Sequence, residues 1–222
     1  MHQGRLVKHQ LYEQFSRIGK AVASPQRLEL LDLLCQGERS VEELAKEAKL
    51  AFANTSRHLQ ILRGVHLVDT RREGTRIYYR LADNKVCSFY RNMCGLAERR
   101  LSEVHQIMED YFGSRKDLEA VNRQNLLARS RAGQVTILDV RPRLEYNSSH
   151  LPNAVSVPLR ELKKYLDQLP KDQEIVAYCR GPYCVLAQEA VNLLRSEGFQ
   201  ANRLEDGVLE WQEAGLPVES VE

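Results

Sequence analysis

Cys179 and Cys184 bracket a short loop in Ile175-Val176-Ala177-Tyr178-Cys179-Arg180-Gly181-Pro182-Tyr183-Cys184, and these are the residues best suited to covalent chemistry. The apolar run that ends at Cys179 predicts a strand buried on both faces. Val185 to Ser196 then carries Leu186, Ala190, Leu193 and Leu194 at helical spacing. A cysteine at such a strand-to-helix turn faces backbone N–H groups and the positive end of the following helix, with Arg180 beside it. All three favour a thiolate, so Cys179 is expected to be a nucleophile of lowered pKa. Gly181 and Pro182 suit a tight cradle.

The elements that must hold this loop belong to a chain of 222 residues, long enough for two domains of roughly 100 residues each. The five cysteines are odd in number and lack close zinc spacing, and no apolar leader opens the chain. These features predict a cytoplasmic protein with free thiols and no metal site of that close spacing, and no cofactor is expected. No apolar stretch approaches the roughly 18 residues of a membrane span. The net charge of +2 is uneven: residues 1–112 hold 18 Lys+Arg against 14 Asp+Glu, the remainder 14 against 16. Arg57, Arg63, Arg71, Arg72, Arg76 and Arg80 concentrate the excess in residues 51–80, a patch that points to nucleic acid.

The first half predicts helices over Leu6 to Ala23 and over Gln26 to Cys35. The second is capped by Ser24-Pro25 and buries Leu28, Leu31 and Leu34. Ser40 and Glu43 predict a capping box for a third helix, and a fourth covers about Phe52 to Arg63 and closes at Gly64. Leu67 to Leu81 changes to period two about Glu73-Gly74, a hairpin with Ile77, Tyr79 and Leu81 on one face and Arg76, Tyr78 and Arg80 on the other. Asn84 to Phe112 predicts one long helix. Its apolar side (Val86, Phe89, Tyr90, Met93, Leu96, Ala97, Leu101, Val104, Met108) has no neighbouring element to cover it, so a second copy of the chain is expected there.

Two short helices, a polar Arg-bearing helix and an Arg-rich hairpin make a winged helix-turn-helix, whose later helix reads the major groove while the hairpin follows the backbone. The chain here resembles the ArsR-type repressors, small dimeric winged-helix proteins that leave their operators when an inducer binds. The resemblance runs through Pro25-Gln26-Arg27-Leu28, Gly37-Glu38-Arg39-Ser40-Val41-Glu42-Glu43-Leu44-Ala45, Thr55-Ser56-Arg57-His58-Leu59-Gln60-Ile61-Leu62-Arg63 and Gly74-Thr75-Arg76-Ile77-Tyr78-Tyr79-Arg80-Leu81. It implies double-stranded operator DNA as partner, with Asn54, Ser56, Arg57 and Gln60 in the groove and Arg71, Arg72 and Arg76 on phosphates. It also implies a homodimer through the N-terminal and long helices. Ala51 stands where the family usually caps the recognition helix with a hydroxyl, at a cost of about 1 kcal/mol.

Beyond Gly113-Ser114-Arg115-Lys116 the pattern alternates. A helix is predicted over Leu118 to Arg131, strands over Val135 to Val140 and Val155 to Val157, and a helix over Arg160 to Leu169. The Cys179 strand and its helix follow, then a strand near Asn202 to Leu204. Alternation implies a parallel sheet with helices on both faces. Asp139-Val140-Arg141, Glu145-Tyr146, His150-Leu151-Pro152-Asn153-Ala154, the Cys179 loop, Asp206-Gly207, Trp211 and Gly215-Leu216-Pro217-Val218 together resemble the rhodanese family of sulfurtransferases. That resemblance implies that Cys179 takes a sulfane sulfur from a small donor, holds it as a persulfide and passes it to a thiol or cyanide. Phosphatases and arsenate reductases of related fold have an arginine six positions after the cysteine. Val185 stands there, so oxyanion chemistry lacks its clamp. Asp139, Arg141, His150 and Trp211 are expected to be structural, and Arg180 to attract an anionic donor. Two roles for Cys184 stand open: attack on a Cys179 persulfide, or a small loop residue.

The expected organisation is an α+β winged helix-turn-helix domain over 1–112, a linker over 113–116 and an α/β rhodanese-like domain over 117–222. Cys35, Cys87 and Cys94 are the sensing candidates. The resemblance suggests a pair between the second and long helices, Cys35 with Cys94, and the alternatives are a dimer-bridging or arsenic-binding site formed by Cys87 and Cys94, or plain core packing. The leading functional expectation is a repressor answering reactive sulfur, with rhodanese-type activity in its second half. The rivals are an arsenite- or metal-responsive repressor, and a sulfurtransferase that uses the winged helix only to dimerise.

Overall fold

The computed structural model describes residues 2–113 and 123–221. The chain forms two compact units, Met1–Arg100 and Leu101–Glu222. Residues 114–116 of the expected 113–116 linker and residues 118–122 of the helix expected from Leu118 lie outside the described residues.

The first unit runs α1 (His2–Val22), α2 (Pro25–Cys35), β1 (Arg39–Ser40), α3 (Val41–Glu47), α4 (Phe52–Gly64), β2 (Val68–Glu73), β3 (Arg76–Leu81) and α5 (Asn84–Arg100). Pro25 opens α2, where its missing N–H costs nothing. Ser24 occupies the cap position, but its hydroxyl bonds the Gln26 side chain instead of a helix amide. The reciprocal Ser40–Glu43 box forms as expected, with Glu43 N donating to Ser40 Oγ (3.2 Å) and Ser40 N to Glu43 Oε2 (2.8 Å). Ala51 starts α4 with no side-chain cap. β1, β3 and β2 form an antiparallel sheet, and pairing of Glu73 with Arg76 leaves Gly74-Thr75 as the hairpin turn. Gly74 takes φ +58°, which glycine adopts without strain.

Two expectations for this unit need correction. The buried face of α2 is wider than the stripe foreseen: Leu30, Leu31, Leu33 and Leu34 are all buried, because α2 is covered by α1, α4 and α5, while Leu28 is half-buried. The long helix also has a neighbour of its own. Val86 and Tyr90 of α5 are buried against α2, and only Phe89 and Leu96 stay on its open side. Nor does it run unbroken to Phe112: Leu101 is extended (φ −109°, ψ 109°) and starts a separate helix.

The second unit runs α6 (Ser102–Phe112), α7 (Arg123–Arg131), β4 (Val135–Asp139), α8 (Arg143–Ser148), β5 (Val155–Ser156), α9 (Leu162–Tyr165) with a 3₁₀ turn over Leu166–Gln168, β6 (Glu174–Tyr178), α10 (Leu186–Ser196), β7 (Ala201–Arg203) and α11 (Val208–Glu213). The strands make a wholly parallel sheet of order β5-β4-β6-β7. Strand alternation divides the core in two. Leu138, Ile175 and Ala177 pack with Ala187, Ala190, Val191 and Leu194 on one face; Val135, Ile137, Val176 and Tyr178 pack with Leu126, Leu151 and Trp211 on the other. Among the described residues no helix is long and apolar enough to cross a membrane.

A buried polar knot ties the strand ends together. Asp139 accepts from Arg141 Nη2 (2.7 Å) and from the Tyr178 hydroxyl (2.5 Å), Arg141 also donates to the Ser149 carbonyl (2.7 Å), and Tyr178 accepts from Leu151 N (3.1 Å). His150 bonds the Tyr146 carbonyl, and Trp211 donates to that of Pro217. These contacts fit the structural roles expected of Asp139, Arg141, His150 and Trp211. Asp139→Ala should therefore cost about 3–5 kcal/mol, since it removes the carboxylate bonded directly to a buried guanidinium. Urea unfolding followed by Trp211, the chain's one tryptophan, reads the second unit alone and checks this.

Candidate functional site

Cys179 lies one residue past β6 and continues the alternation of Ile175 and Ala177, so its side chain turns into the core beneath α10 and is 1 % exposed. Its sulfur lies 3.3 Å from the Cys184 carbonyl, hydrogen-bonds the Cys184 thiol, and receives backbone contacts from Gly181 and Ala187. The Cys184 sulfur, half-buried, meets the backbone of Arg180 and Leu186. Leu186 and Ala187 are the first residues of α10, whose opening amides have no partner inside the helix. Two sulfurs thus complete a helix terminus.

The expected thiolate at Cys179 is corrected by this environment. Burial, and then the neighbouring Cys184 thiol, push the Cys179 pKa well above the usual range. Cys184 moves the other way, down to about 7: the Cys179 thiol bonded to it lowers it most, burial opposes, and Arg180 and the two backbone contacts assist. The first negative charge of the pair belongs on Cys184.

Arg180 is also placed differently from expectation. Its guanidinium grips the buried Glu145, with Nη2 at 2.7 Å and Nε at 3.0 Å from Oε1, and so shares its charge with a carboxylate instead of presenting it to solvent. Glu145 comes from α8, a six-residue helix too short for periodicity to reveal. The loop is held from below by Gly207, where a Cβ would fall 2.5 Å from the Arg180 carbonyl carbon and oxygen. Glu210 of α11 accepts from Gly207 N (2.8 Å) and lies beside Gly181, which takes φ +138°. Arg203 donates to the Pro182 carbonyl (3.3 Å) and stacks 4.1 Å over Phe112. Glu145 and Gly207 were visible as motif letters. The roles of Glu210 and Arg203 carried no local signal.

In the first unit α4 buries Thr55, Leu59 and Leu62, and its opposite side presents Asn54, Arg57 and Gln60 to solvent, with Ser56 half-buried. The structure thus brings the four groove candidates onto one helix. The three hairpin arginines are exposed but differ in commitment. Arg71 pairs with Glu38 and Glu73 (2.6 Å each) and stacks on Tyr78, Arg72 donates to the Gly74 carbonyl, and Arg76 bonds Tyr78.

Cys35 and Cys87 form a disulfide with Cα atoms 5.5 Å apart, joining the last residue of α2 to the first turn of α5. This corrects both the expectation of free thiols and the Cys35–Cys94 pairing. Cys94 stands two helical turns beyond Cys87, about 10.5 Å along the axis, and keeps a free thiol. Its thiol is instead pushed up by burial and bonds Tyr90.

A winged helix-turn-helix unit joined to a rhodanese-like α/β unit defines a transcriptional regulator with an appended second domain. The family model of the bacterial regulatory protein, arsR family, matches residues 24–70, and that of the rhodanese-like domain matches residues 122–214. The HTH-type transcriptional regulator Rv0324 of Mycobacterium tuberculosis is 45% identical over 212 residues, 96% of this chain and 93% of that protein. The biofilm growth-associated repressor of Agrobacterium fabrum is 46% identical over 66 residues, 30% of this chain and 56% of that one. A solution structure of the homodimeric winged helix-turn-helix DNA-binding domain of a possible ArsR-family regulator from Mycobacterium bovis is 42% identical. It covers 42% of this chain and 87% of that one, with TM-score 0.41. The chain belongs to the arsR family of transcriptional regulators and carries a rhodanese-like domain.

In reduced protein, alkylation of Cys184 by iodoacetamide should rise to half its plateau near pH 7, because only the thiolate reacts, and Cys179 should lag at every pH. Peptide mapping after timed quenching measures both. In Cys179→Ala the midpoint should move upward, because the hydrogen bond that lowers Cys184 most is removed.

Proposed function

We propose that this protein is a dimeric repressor of transcription that releases operator DNA in response to reactive sulfur, and that its rhodanese-like unit forms a persulfide at Cys179. The observation that carries the reading is the Cys35–Cys87 bond, which closes a two-thiol switch between α2 and α5. α2 packs against both α4 and α5, so a covalent tie at its end acts on the helix that presents Asn54, Ser56, Arg57 and Gln60. The switching step is balanced. A persulfide hands its sulfane sulfur to one thiol of the pair, and the other thiol displaces that sulfur as hydrosulfide, leaving the disulfide.

Exposed Leu6, Leu11, Tyr12 and Phe15 on α1, with Phe89 and Leu96 on α5, support pairing with a second copy through the N-terminal and long helices. Two-fold pairing places two recognition helices on successive half-sites. Arg57, Arg72 and Arg76 supply cationic side chains for the duplex, and Arg71 contributes less because Glu38 and Glu73 hold it.

Arg57→Ala should weaken operator binding by about 1–3 kcal/mol in a gel shift at fixed salt. Reduced Cys35→Ser and Cys87→Ser proteins should each bind the operator but remain bound when an organic persulfide is added, whereas reduced wild type dissociates. Release of the two variants by persulfide at the wild-type concentration would refute the switch.

A further inference from the structure

We infer that Cys184 is the resolving thiol of the rhodanese-like loop: it expels the sulfane sulfur of a Cys179 persulfide as hydrosulfide and closes a Cys179–Cys184 disulfide. The inference rests on the reading that Cys179 carries the persulfide, and it specifies what becomes of that sulfur.

Three features of the loop lead to this step. The first is access. Cys179 is 1 % exposed beneath α10, while Cys184 is half-buried and stands in contact with it, so the thiol nearest to a new sulfane sulfur belongs to the protein itself. An attacking group already in contact gains the advantage of an intramolecular reaction over any dissolved thiol. The second is the anionic character of Cys184, which the Arg180 charge and the backbone of Arg180 and Leu186 support. The third is the choice of leaving group. Attack on the outer sulfur would have to expel a Cys179 thiolate into an apolar core of Ala177, Ala187, Ala190 and Val191. Attack on the Cys179 sulfur expels hydrosulfide, a small anion that hydrates readily, and the more acidic leaving group departs faster.

Electrons and atoms balance without a further reagent. Cys184 yields its proton to solvent, and its sulfur bonds to Cys179 Sγ as the bond from Sγ to the sulfane sulfur breaks. The departing sulfur takes the electron pair and its own proton as hydrosulfide. That sulfur is reduced, and the two cysteine sulfurs are oxidised to a disulfide. A small dithiol then reduces the Cys179–Cys184 bond, reopening both thiols and itself becoming a disulfide. The unit then converts sulfane sulfur to sulfide at the expense of dithiol, and each turn clears the signal that the DNA-binding unit reads.

The test treats full-length reduced protein with stoichiometric organic persulfide or thiosulfate, quenches by alkylation and maps the peptides. Trypsin cleaves after Arg180, so a Cys179–Cys184 disulfide appears as two peptides joined across that cut. Wild type should give the joined peptides with release of sulfide, and Cys184→Ser and Cys184→Ala should instead accumulate Cys179 about 32 Da heavier. Sulfide release before dithiol should fall roughly tenfold or more in both variants. A stable Cys179 persulfide in wild type, with no joined peptide, overturns the resolving role and leaves the persulfide reading intact. Added sulfur found on Cys184 in wild type also overturns it, in favour of transfer without oxidation. Absence of added sulfur on Cys179 in both variants overturns the persulfide reading and this inference together.

Discussion

A carboxylate sealed away from water must be matched by cations or it will not stay charged, and Glu145 imposes that condition on the whole sulfur loop. It is 1 % exposed, it takes a bidentate grip from Arg180, and Arg141 stands 3.9 Å away. Arg141 in turn holds Asp139, and Asp139 holds the Tyr178 hydroxyl. The residues on either side of Cys179 are therefore pinned through one connected charge network, while Gly207 admits the backbone of Arg180 from below. The loop owes its fixed shape to pairing demands as much as to its own turn residues.

Within that rigid frame the softer decision is where one proton sits. Two thiols share a helix terminus and differ chiefly in their distance from water. The more deeply buried one keeps its proton, and the shallower one profits from the hydrogen bond this proton makes. Division of labour between identical side chains is set by environment alone, as with any close pair of titrating groups. In the first unit two cysteines come together by a different rule: Cys35 and Cys87 belong to separate helices that meet.

Much of this was legible in the sequence where a signal is local. The Ser40–Glu43 box, Pro25, the Arg-rich hairpin and the unbroken apolar run into Cys179 are short-range features, and each appears where expected. What escaped depends on chain segments meeting. Glu38 reaches Arg71 across 33 positions, and the Cys35–Cys87 pairing follows from the relative rotation of two helices, which neither helix encodes by itself. The acidity of Cys179 was misjudged because amides and a helix end are visible in sequence, whereas depth beneath α10 is not. α8 and α11 are short helices of six residues, below the length at which a period declares itself.

The alternation along β6 has a final consequence. Because residues 175, 177 and 179 share one side of the sheet and 176 and 178 the other, the thiol's address is a matter of parity. Adding or losing one residue within the strand would point a phenol or a guanidinium beneath α10 and send the sulfur toward Trp211 instead. Changes in pairs would preserve its side. Drift in the length of this segment is thus restricted to even steps, however freely its apolar letters are exchanged.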